Sequence, residues 1–399
     1  MTHNPTGKER LALAFLLSML AVLGPLNIDM YLPSFPDIAT DLKARESLVQ
    51  LSLTACLFGL AVGQVVVGPI SDSTGRRKPL IISVLLFALA SILCALAPNI
   101  TWLIIGRFLQ GFTAAGGVVI SRAVVRDVFS GTELTKFFAL LMVINAVAPL
   151  AAPIVGGAIL WFPFTNWSSI FYFLSFVGLL IVSMVLWKLK ESHPPERRTP
   201  SSLSFTLKTF GELFRDRSFI GYALTLGFVH GGSFAYVSGT PFVYQGIYGV
   251  SPQTFSILFG INGLAIISGT WIVGRFAGRI AERVLLRSGV ILATCATTFL
   301  LIMTIIEAPL VWIVVPIFIY MTSMGTILTT SYTLGIKKQA HRAGTASALL
   351  GLFPLLIGAM VAPLVGLAEA SAVPMGLILF STCLVALGCF FFITTKEEV

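Results

Sequence analysis

Long runs of apolar residues, separated by short polar or charged gaps, dominate the chain from residue 11 onward. An α-helix needs about 20 such residues to cross a bilayer. The pattern therefore predicts an all-α integral membrane protein. Its twelve predicted spans are 11–33, 47–70, 79–98, 101–125, 134–160, 168–188, 219–244, 254–274, 288–306, 309–334, 343–368 and 373–394.

Composition supports this class. Of the 399 residues, 56% are hydrophobic and only 11% are charged, and the mean hydropathy is +0.93, so there is too little polar surface for a soluble protein. The formal net charge of +9 comes from basic residues in the gaps between apolar runs, which indicates lipid headgroups rather than nucleic acid as the partner. All five cysteines fall within apolar runs without metal-ligand spacing, as expected of packing residues.

The basic residues also predict the orientation. Lys43 and Arg45 lie in the first outward loop, and Arg107 and Arg122 lie within the fourth span, whereas the other Lys and Arg residues are on the opposite, inward side, counting both tails. The positive-inside rule places both termini in the cytoplasm. The run from Leu11 has no small-residue cleavage site, so it is expected to be a retained first helix.

The chain divides into two halves at its longest polar interval. We predict a six-helix bundle over 1–188, a cytoplasmic linker over 189–218 and a second six-helix bundle over 219–399. Several features recur about 208 positions apart, as expected of an internal duplication. Such repeats are common in secondary transporters. The recurring pairs are Trp102 and Trp312, Pro153 and Pro363, and Pro33 and Pro241.

Other classes of membrane protein fit the sequence less well. A channel would need a short filter element, and an enzyme would need a nucleophile–base pair or a metal cluster, which four scattered histidines do not supply. No P-loop is present, so ATP is not the expected energy source. The sequence therefore favours a secondary active transporter over an enzyme, with no cofactor.

A charged stretch, GPISDSTGRRKPL, separates the second and third spans at 68–80. Its glycines and prolines disfavour a helix, so it is expected to be a cytoplasmic loop. The part from Gly68 to Arg77 resembles the G-x-x-x-D-x-x-G-R-R/K signature of the major facilitator superfamily. GRFLQG at 106–111 resembles the R-F-x-Q-G motif of the fourth helix in that family, and APIVGG at 152–157 resembles the G-P-x-x-G-G antiporter motif of its fifth helix.

NIDMYLP at 27–33 resembles the D-M-Y-L-P element of twelve-helix drug:proton antiporters, in particular the bicyclomycin/chloramphenicol resistance (Bcr/CflA) branch of bacterial inner membranes. The resemblance implies two pseudo-symmetric six-helix bundles, a small-molecule substrate, the proton as coupling ion and a monomer in the lipid bilayer. Two departures exist. Ala148 and Ala152 replace glycines of the fifth-helix motif, and the second-half loop around 274–279 lacks the aspartate.

The cytoplasmic signature has a mechanical interpretation. A carboxylate is favoured at a helix N-terminus, so Asp72 is expected to dock at the start of the eleventh span, near Gly344 and Thr345, while Arg76 pairs with Asp127. The resemblance implies a latch that stabilises the outward-facing state. Its residues are Gly68, Asp72, Gly75, Arg76, Arg77 and Asp127. The simpler interpretation is that Arg76, Arg77 and Lys78 only enforce topology, and both roles can coexist.

Asp29 and Arg107 are the candidates for proton coupling. Both are predicted to lie one to two turns below the outer boundary, and charges within a membrane are costly, so they are usually functional or paired. Desolvation and a nearby cation would act on the protonation of Asp29 in opposite directions. The hypothesis is that Asp29 carries the exchanged proton and Arg107 tunes it, and the alternative is a static structural ion pair.

Two further groups complete the candidates. Pro149, Pro153, Gly156 and Gly157 of the fifth span are expected to bend the helix and permit close packing, and the resemblance implies that this element limits leak. Each candidate for the substrate cavity has an ordinary interhelical hydrogen bond or apolar packing as its alternative. The cavity candidates are Tyr31, Gln110, Asn145, His230, Phe234, Tyr236 and Asn262.

The leading functional hypothesis is proton-coupled efflux of small amphipathic compounds, including antibiotics, because a cavity with few fixed charges suits varied substrates. The second is a selective exporter or importer of one metabolite, such as an amino acid, a sugar or a siderophore. A receptor or assembly protein on the same fold is a third class, and the intact motifs around Asp29, Asp72 and Arg107 argue against it.

Overall fold

The computed structural model of the protein describes residues 7–198, 211–337, 339, 343–367 and 371–394, and this part of the chain contains helices, turns and no strand. Each predicted span coincides with a long helix, while the short α2 was not predicted. The helices are α1 Gly7–Asp29, α2 Phe35–Asp41, α3 Glu46–Thr74, α4 Arg77–Ala95, α5 Ile100–Val128, α6 Gly131–Ile159, α7 Trp167–Lys188, α8 Arg217–Thr240, α9 Pro252–Phe276, α10 Glu282–Ile305, α11 Leu310–Lys337, α12 Ala343–Val361 and α13 Val373–Gly388.

The helices have the length and the surface of membrane spans. Within the described residues, ten helices are long and apolar enough to cross a bilayer, and α6 adds a shorter apolar stretch, Val147–Ile159. Large apolar side chains point outward from them, and aromatic ones cluster near the helix ends: Phe164 is 84% exposed and Trp187 is 88% exposed. Aromatic rings at these positions suit the boundary between hydrocarbon and headgroups. The chain is thus a multi-pass membrane protein.

The chain folds as two compact units. The first contains Met1–Ala44 and Ala55–Ser202, and the second contains Arg45–Thr54 and Leu203–Val399. In the first, α1 packs on α5, α6 and α7, while α4 packs on α5 and α7; in the second, α8 packs on α11, α12 and α13, while α10 packs on α11 and α13. Because equivalent helices have equivalent neighbours, the two units share one packing plan, as the sequence repeats predict.

Reciprocal glycines mark the same close crossing in each unit. A Cβ atom at Gly111 of α5 would overlap the backbone oxygen of Cys56 in α3, and one at Gly325 of α11 would overlap that of Ile266 in α9. Small residues let the backbones of two membrane helices approach closely. The crossings therefore depend on glycine in both halves, although the sequence motifs concentrate in the first half.

The expected loop at 68–80 is wrong in extent. Helix α3 continues through Pro69 to Thr74, and α4 begins at Arg77, so only Gly75 and Arg76 separate the two helices. Pro69 lies inside this helix, and in its last turn the Thr74 Oγ1 donates to the Ile70 carbonyl at 2.7 Å. The sharp reversal is made by Gly75, whose φ of +99° favours glycine.

Candidate functional site

Helix α1 breaks next to the candidate acid. The α-helix ends at Asp29, and a 3-10 turn, Leu32–Ser34, follows it. Pro33 within this turn has no N–H group and cannot continue the helical ladder, while the Ser34 Oγ donates to the Tyr31 carbonyl at 2.7 Å and secures the turn. The break places Tyr31, which is fully buried, against α5 and α7.

Arg107 of α5 lies at the centre of a buried polar cluster. Its side chain is fully buried. One terminal nitrogen donates to the Asn27 Oδ1 at 2.6 Å and to the Gln110 Oε1 at 2.5 Å, and the other donates to the Asn27 backbone oxygen at 2.7 Å. Its guanidinium carbon lies 4.1 Å from the ring centroid of Tyr31. Sequence reasoning found Arg107, Gln110 and Tyr31 but missed Asn27.

Neutral groups compensate the Arg107 charge. Hydrogen bonds to a charged group contribute about 1.5–3 kcal/mol each, and a desolvated cation–π contact contributes about 2 kcal/mol, which together offset much of the cost of a cation in the membrane interior. A chain of bonds extends the cluster, since the Gln110 Nε2 donates to the Ser91 Oγ at 2.7 Å. Of the three guanidinium nitrogens of Arg107, Nε alone has no hydrogen-bond partner within the described residues.

The structure does not pair Asp29 with Arg107. Asp29 is buried, with 6% of its surface exposed, but within the described residues no salt bridge joins it to Arg107. The reason lies in helix geometry, because residues two apart do not share a helix face, and Asn27 occupies the face of α1 that contacts Arg107. The static ion pair between Asp29 and Arg107, considered from the sequence, is therefore absent from the described residues. Because Asn27, two residues before Asp29, contacts Arg107, Asp29 and Arg107 nevertheless lie at similar depths.

Helix α6 packs closely against the break in α1. Pro149 and Pro153 lie inside the continuous helix Gly131–Ile159. A Cβ atom at Gly156 would overlap the Met30 backbone oxygen, so this glycine permits the contact, and Gly157 beside it is buried. Close packing at this motif agrees with the expectation, while its part in limiting leak stays a prediction.

On the cytoplasmic side, Arg76 joins the ends of α3 and α5. Its Nε donates to the Asp127 Oδ2 at 2.9 Å, and its terminal NH1 donates to the Asp72 Oδ1 at 2.5 Å and to the Ser71 Oγ at 2.8 Å. The contact expected between Arg76 and Asp127 is present. Gly68 lies within α3, where a Cβ atom would make only ordinary contact with Val119.

These contacts favour the charged form of Arg76 against the effect of burial. Burial alone would lower the pKa of its guanidinium, but hydrogen bonds and charge attraction from Asp127 and Asp72 outweigh burial and raise that pKa. The expected docking of Asp72 near Gly344 and Thr345 cannot be compared, because the side chains of those two residues lie outside the described part of the chain.

Segment Leu189–Arg198, which follows α7, completes this cytoplasmic cluster. The Glu191 carboxylate accepts the backbone N–H of Arg76 at 2.8 Å and that of Arg77 at 3.1 Å. Partial burial opposes ionisation, but the N–H groups of Arg76, His193 and Arg77 outweigh it and lower the pKa of this carboxyl. Sequence reasoning missed Glu191; its only signal is an acid within the basic stretch KLKESHPPERR.

Arg77 also fastens this segment, because its NH2 donates to the Leu186 carbonyl at the end of α7 at 2.9 Å. The second unit has an equivalent bond, since the Arg283 NH2 near the start of α10 donates to the Thr394 Oγ1 at 3.3 Å. Leu186 and Thr394 differ by the repeat offset of about 208 positions. Arg77 therefore has a structural contact in addition to any influence on topology.

In the second unit, the remaining cavity candidates form two pairs. The His230 ring stacks on Phe234, with centroids 6.0 Å apart. The Asn262 Nδ2 donates to the Tyr236 hydroxyl oxygen at 2.8 Å, and within the described residues the buried Asn262 Oδ1 has no partner. Asn145 lies in α6, and its side chain is outside the described residues. The structure thus brings together Tyr31 with Gln110 in one unit, and Tyr236 with Asn262 in the other.

Helix α8 changes its winding just beyond Tyr236. A π-helical segment, Pro241–Ile247, continues it, and such segments occur often at functional sites. Within this second unit, Gln50 from the first turns of α3 donates through its Nε2 to the Ser238 carbonyl of α8 at 3.3 Å. Ser238 and the π-helical segment both follow Tyr236 within a few residues, which supports this region as a candidate binding surface.

Comparisons with known proteins agree with the geometry. The sequence profile of the Major Facilitator Superfamily matches residues 17–363. The chain is 65% identical over 399 residues to an uncharacterized MFS-type transporter, YdgK, of Bacillus subtilis strain 168, covering 100% of this chain and 99% of that protein. It is 30% identical over 382 residues to a bicyclomycin resistance protein homolog of Haemophilus influenzae, covering 96% of each chain.

A solved structure shows the same fold. The crystal structure of a bacterial homolog of the human lysosomal transporter Spinster, in an inward-facing and occupied conformation, aligns with a TM-score of 0.77 over 98% of each chain at 16% identity. The resemblance drawn from the motifs at 27–33, 68–80 and 106–111 is confirmed by the sequence relatives. From its profile, its relatives and its helical architecture, this chain belongs to the major facilitator superfamily and is a transporter rather than an enzyme.

Proposed function

We propose that this protein exports small amphipathic compounds, including antibiotics, across a bacterial inner membrane in exchange for protons by alternating access. The similarity to a bicyclomycin resistance protein homolog over 96% of the chain supports the substrate class. The observation that carries the coupling is Asp29, a buried acid at the break of α1. Both termini lie in the cytoplasm, and the chain works as a monomer in the bilayer.

Asp29 suits proton exchange because it has no ion pair within the described residues. A buried carboxyl group is accommodated in the membrane interior when it holds a proton, and it ionises when an open cavity hydrates it. Arg107, by contrast, stays charged and keeps its neutral partners. Proton loading thus changes the charge at the α1 break while the neighbouring cluster is unchanged.

The available driving force is sufficient. One charge crossing 100 mV gains about 2.3 kcal/mol, and one pH unit adds about 1.4 kcal/mol. One proton exchanged for one uncharged molecule therefore supports a concentration ratio of a few hundred, at about tenfold for each 1.4 kcal/mol. Export needs no ATP.

The cytoplasmic cluster acts as a latch for the outward-facing state, with Asp72, Arg76 and Asp127 as its charged groups. The Arg76 guanidinium contacts both carboxylates. A change that separates α3 from α5 breaks its ion pair with Asp127, whereas Asp72, one turn before Arg76, can keep its contact. Gly75 supplies the reversal that places Arg76 there. Asp72→Asn tests the latch, since normal expression with unchanged transport would remove this role.

Exchange is measured in everted membrane vesicles from cells that lack other drug pumps. Asp29→Asn is expected to abolish substrate uptake driven by a pH gradient, because the side chain no longer binds and releases a proton. Asp37→Asn is the matched control, since Asp37 is an exposed acid in the nearby α2, and it should transport normally. Retained pH-driven uptake by Asp29→Asn would eliminate the carrier role.

A second candidate function is selective transport of one metabolite. The Asn262–Tyr236 pair favours it, because a fixed polar pair with a free acceptor atom can discriminate between substrates by their hydrogen-bond donors. A panel of labelled amino acids, sugars, siderophores and antibiotics separates the two. Uptake of a single compound favours selective transport, whereas uptake of several unrelated antibiotics favours drug efflux.

A further inference from the structure

The start of α4 is capped from a distant part of the chain. The first N–H groups of a helix have no partner within the helix, and at α4 the preceding Arg76 makes no side-chain cap. Instead, one oxygen of the Glu191 carboxylate accepts the Arg76 N–H at 2.8 Å and the other accepts the Arg77 N–H at 3.1 Å. Glu191 thereby fixes two consecutive backbone groups at the turn between α3 and α4.

The neighbours of Glu191 contact the same turn. The Ser192 Oγ donates to the Asp127 Oδ2 at 3.2 Å, which is the oxygen that also accepts from the Arg76 Nε. A Cβ atom at Gly75 would lie 2.7 Å from a Glu191 carboxylate oxygen and 2.8 Å from an Arg198 terminal nitrogen. A side chain at residue 75 would therefore displace the Glu191 carboxylate from its present position.

Electrostatics favours this arrangement. A negative charge at a helix N-terminus is stabilised by the aligned peptide dipoles, and hydrogen bonds from N–H groups to a carboxylate are stronger than neutral ones. The lowered pKa of Glu191 is consistent with a carboxylate held by three backbone N–H groups. Solvent screens part of the effect, because Glu191 is exposed on its outer side.

We propose that Glu191 is a positioning residue for Arg76. Its carboxylate holds the Arg76 backbone where the guanidinium reaches Asp72 and Asp127 together. Segment Leu189–Arg198 then belongs to the latch and is not only the first part of the linker. This inference rests on the proposed latch, so its test separates the two.

The first measurement is hydrogen exchange by mass spectrometry on the full-length protein in lipid nanodiscs. Glu191→Ala is expected to accelerate exchange at the Arg76 and Arg77 amides roughly tenfold, because each loses its acceptor. Glu191→Gln should give an intermediate acceleration, since an amide oxygen can still accept. Glu196→Ala is the matched control, as Glu196 is an exposed acid of the same segment, and it should leave both amides protected. Unchanged exchange in Glu191→Ala would overturn the capping contact.

The second measurement is pH-driven transport in a double-mutant cycle. Arg76→Ala is expected to reduce transport strongly and Glu191→Ala to reduce it several-fold. The double variant should be no worse than Arg76→Ala, because Glu191 acts through Arg76. Reductions that multiply in the double variant would refute the positioning role.

Transport by the single variants distinguishes a failure of the latch proposal from a failure of the inference about Glu191. If Arg76→Ala transports normally, the latch proposal is wrong and the positioning role has no function to serve, even where the two amides lose protection. If Arg76→Ala is impaired but Glu191→Ala transports like the unmodified protein, the latch stands and the inference about Glu191 is overturned.

Discussion

Replacing Asn27 by alanine tests whether a single residue of α1 holds the buried cation of α5. The substitution removes the Asn27 Oδ1, which accepts from Arg107 at 2.6 Å, and the Nδ2, which donates to the Cys56 Sγ at 3.1 Å. It leaves the backbone bond from Arg107 to residue 27 in place. A hydrogen bond to a charged group contributes about 1.5–3 kcal/mol, whereas measured interhelical bonds in membranes reach only about 1.7 kcal/mol. We therefore expect Asn27→Ala to lower the free energy of unfolding by about 1.5 kcal/mol, where the two ranges overlap.

The assay is unfolding of the purified protein by titration of mild detergent with a denaturing one. Asn99→Ala is the control, because the Asn99 side chain caps α5 by accepting the Trp102 N–H at 3.2 Å, and loss of a cap costs about 1 kcal/mol. In an Arg107→Met background, the cost of Asn27→Ala in excess of the Asn99→Ala control should disappear. An equal cost in both backgrounds would show that Asn27 does not stabilise the guanidinium.

Three further predictions use the same unfolding assay. Gly111→Ala should cost about 1–3 kcal/mol, because its Cβ atom meets backbone, whereas Gly246→Ala has no atom within 4 Å and should be nearly neutral; similar costs would contradict the close crossing. Asp127→Asn should cost about 2 kcal/mol and Asp72→Asn less than about 1 kcal/mol, because their side chains are 16% and 46% exposed; a reversed order would contradict the burial argument. The pKa of Glu191 in the folded protein is lowered and lies below its value of about 4.3 in the unfolded chain. The Glu191 carboxylate therefore stabilises the fold fully above about pH 4.3, and this contribution is lost as the pH falls through the folded pKa. The stability difference from Glu191→Gln should therefore narrow below about pH 4, and a constant difference down to pH 3 would refute the carboxylate's role.

The twelve spans were predictable because the membrane imposes a local rule. Every predicted segment, from 11–33 to 373–394, coincides with a helix, since a buried backbone in hydrocarbon must satisfy its hydrogen bonds within the segment. The rule fails at the ends of spans. At 68–80, proline, glycine and charges predicted a loop, but α3 continues through Pro69 to Thr74 and the chain reverses only at Gly75.

The candidate site was partly predictable. The pairing of Arg76 with Asp127 followed from the motif and the topology, because Arg76 lies in the turn after α3 and Asp127 near the end of α5, on the same side. The partners of Arg107 did not follow, since sequence reasoning sought a countercharge and chose Asp29, whereas the fold supplied neutral oxygens from Asn27 and Gln110. Which residue of α1 faces α5 depends on the rotation of the helix about its axis, and a nearly uniform apolar helix gives no sequence signal for that rotation.

Hydropathy, charge and motif spacing are properties of short segments. From them alone it follows that this chain spans the membrane with helices, contains two similar halves and places a charged turn between two helices. Which side chains contact each other depends on the packed fold. Glu191 reaches the start of α4 across 115 positions of sequence, and Asn27 reaches Arg107 across 80. Contacts of this kind depend on how helices pack side by side, and packing is set by the shapes of all the surfaces together rather than by any one stretch.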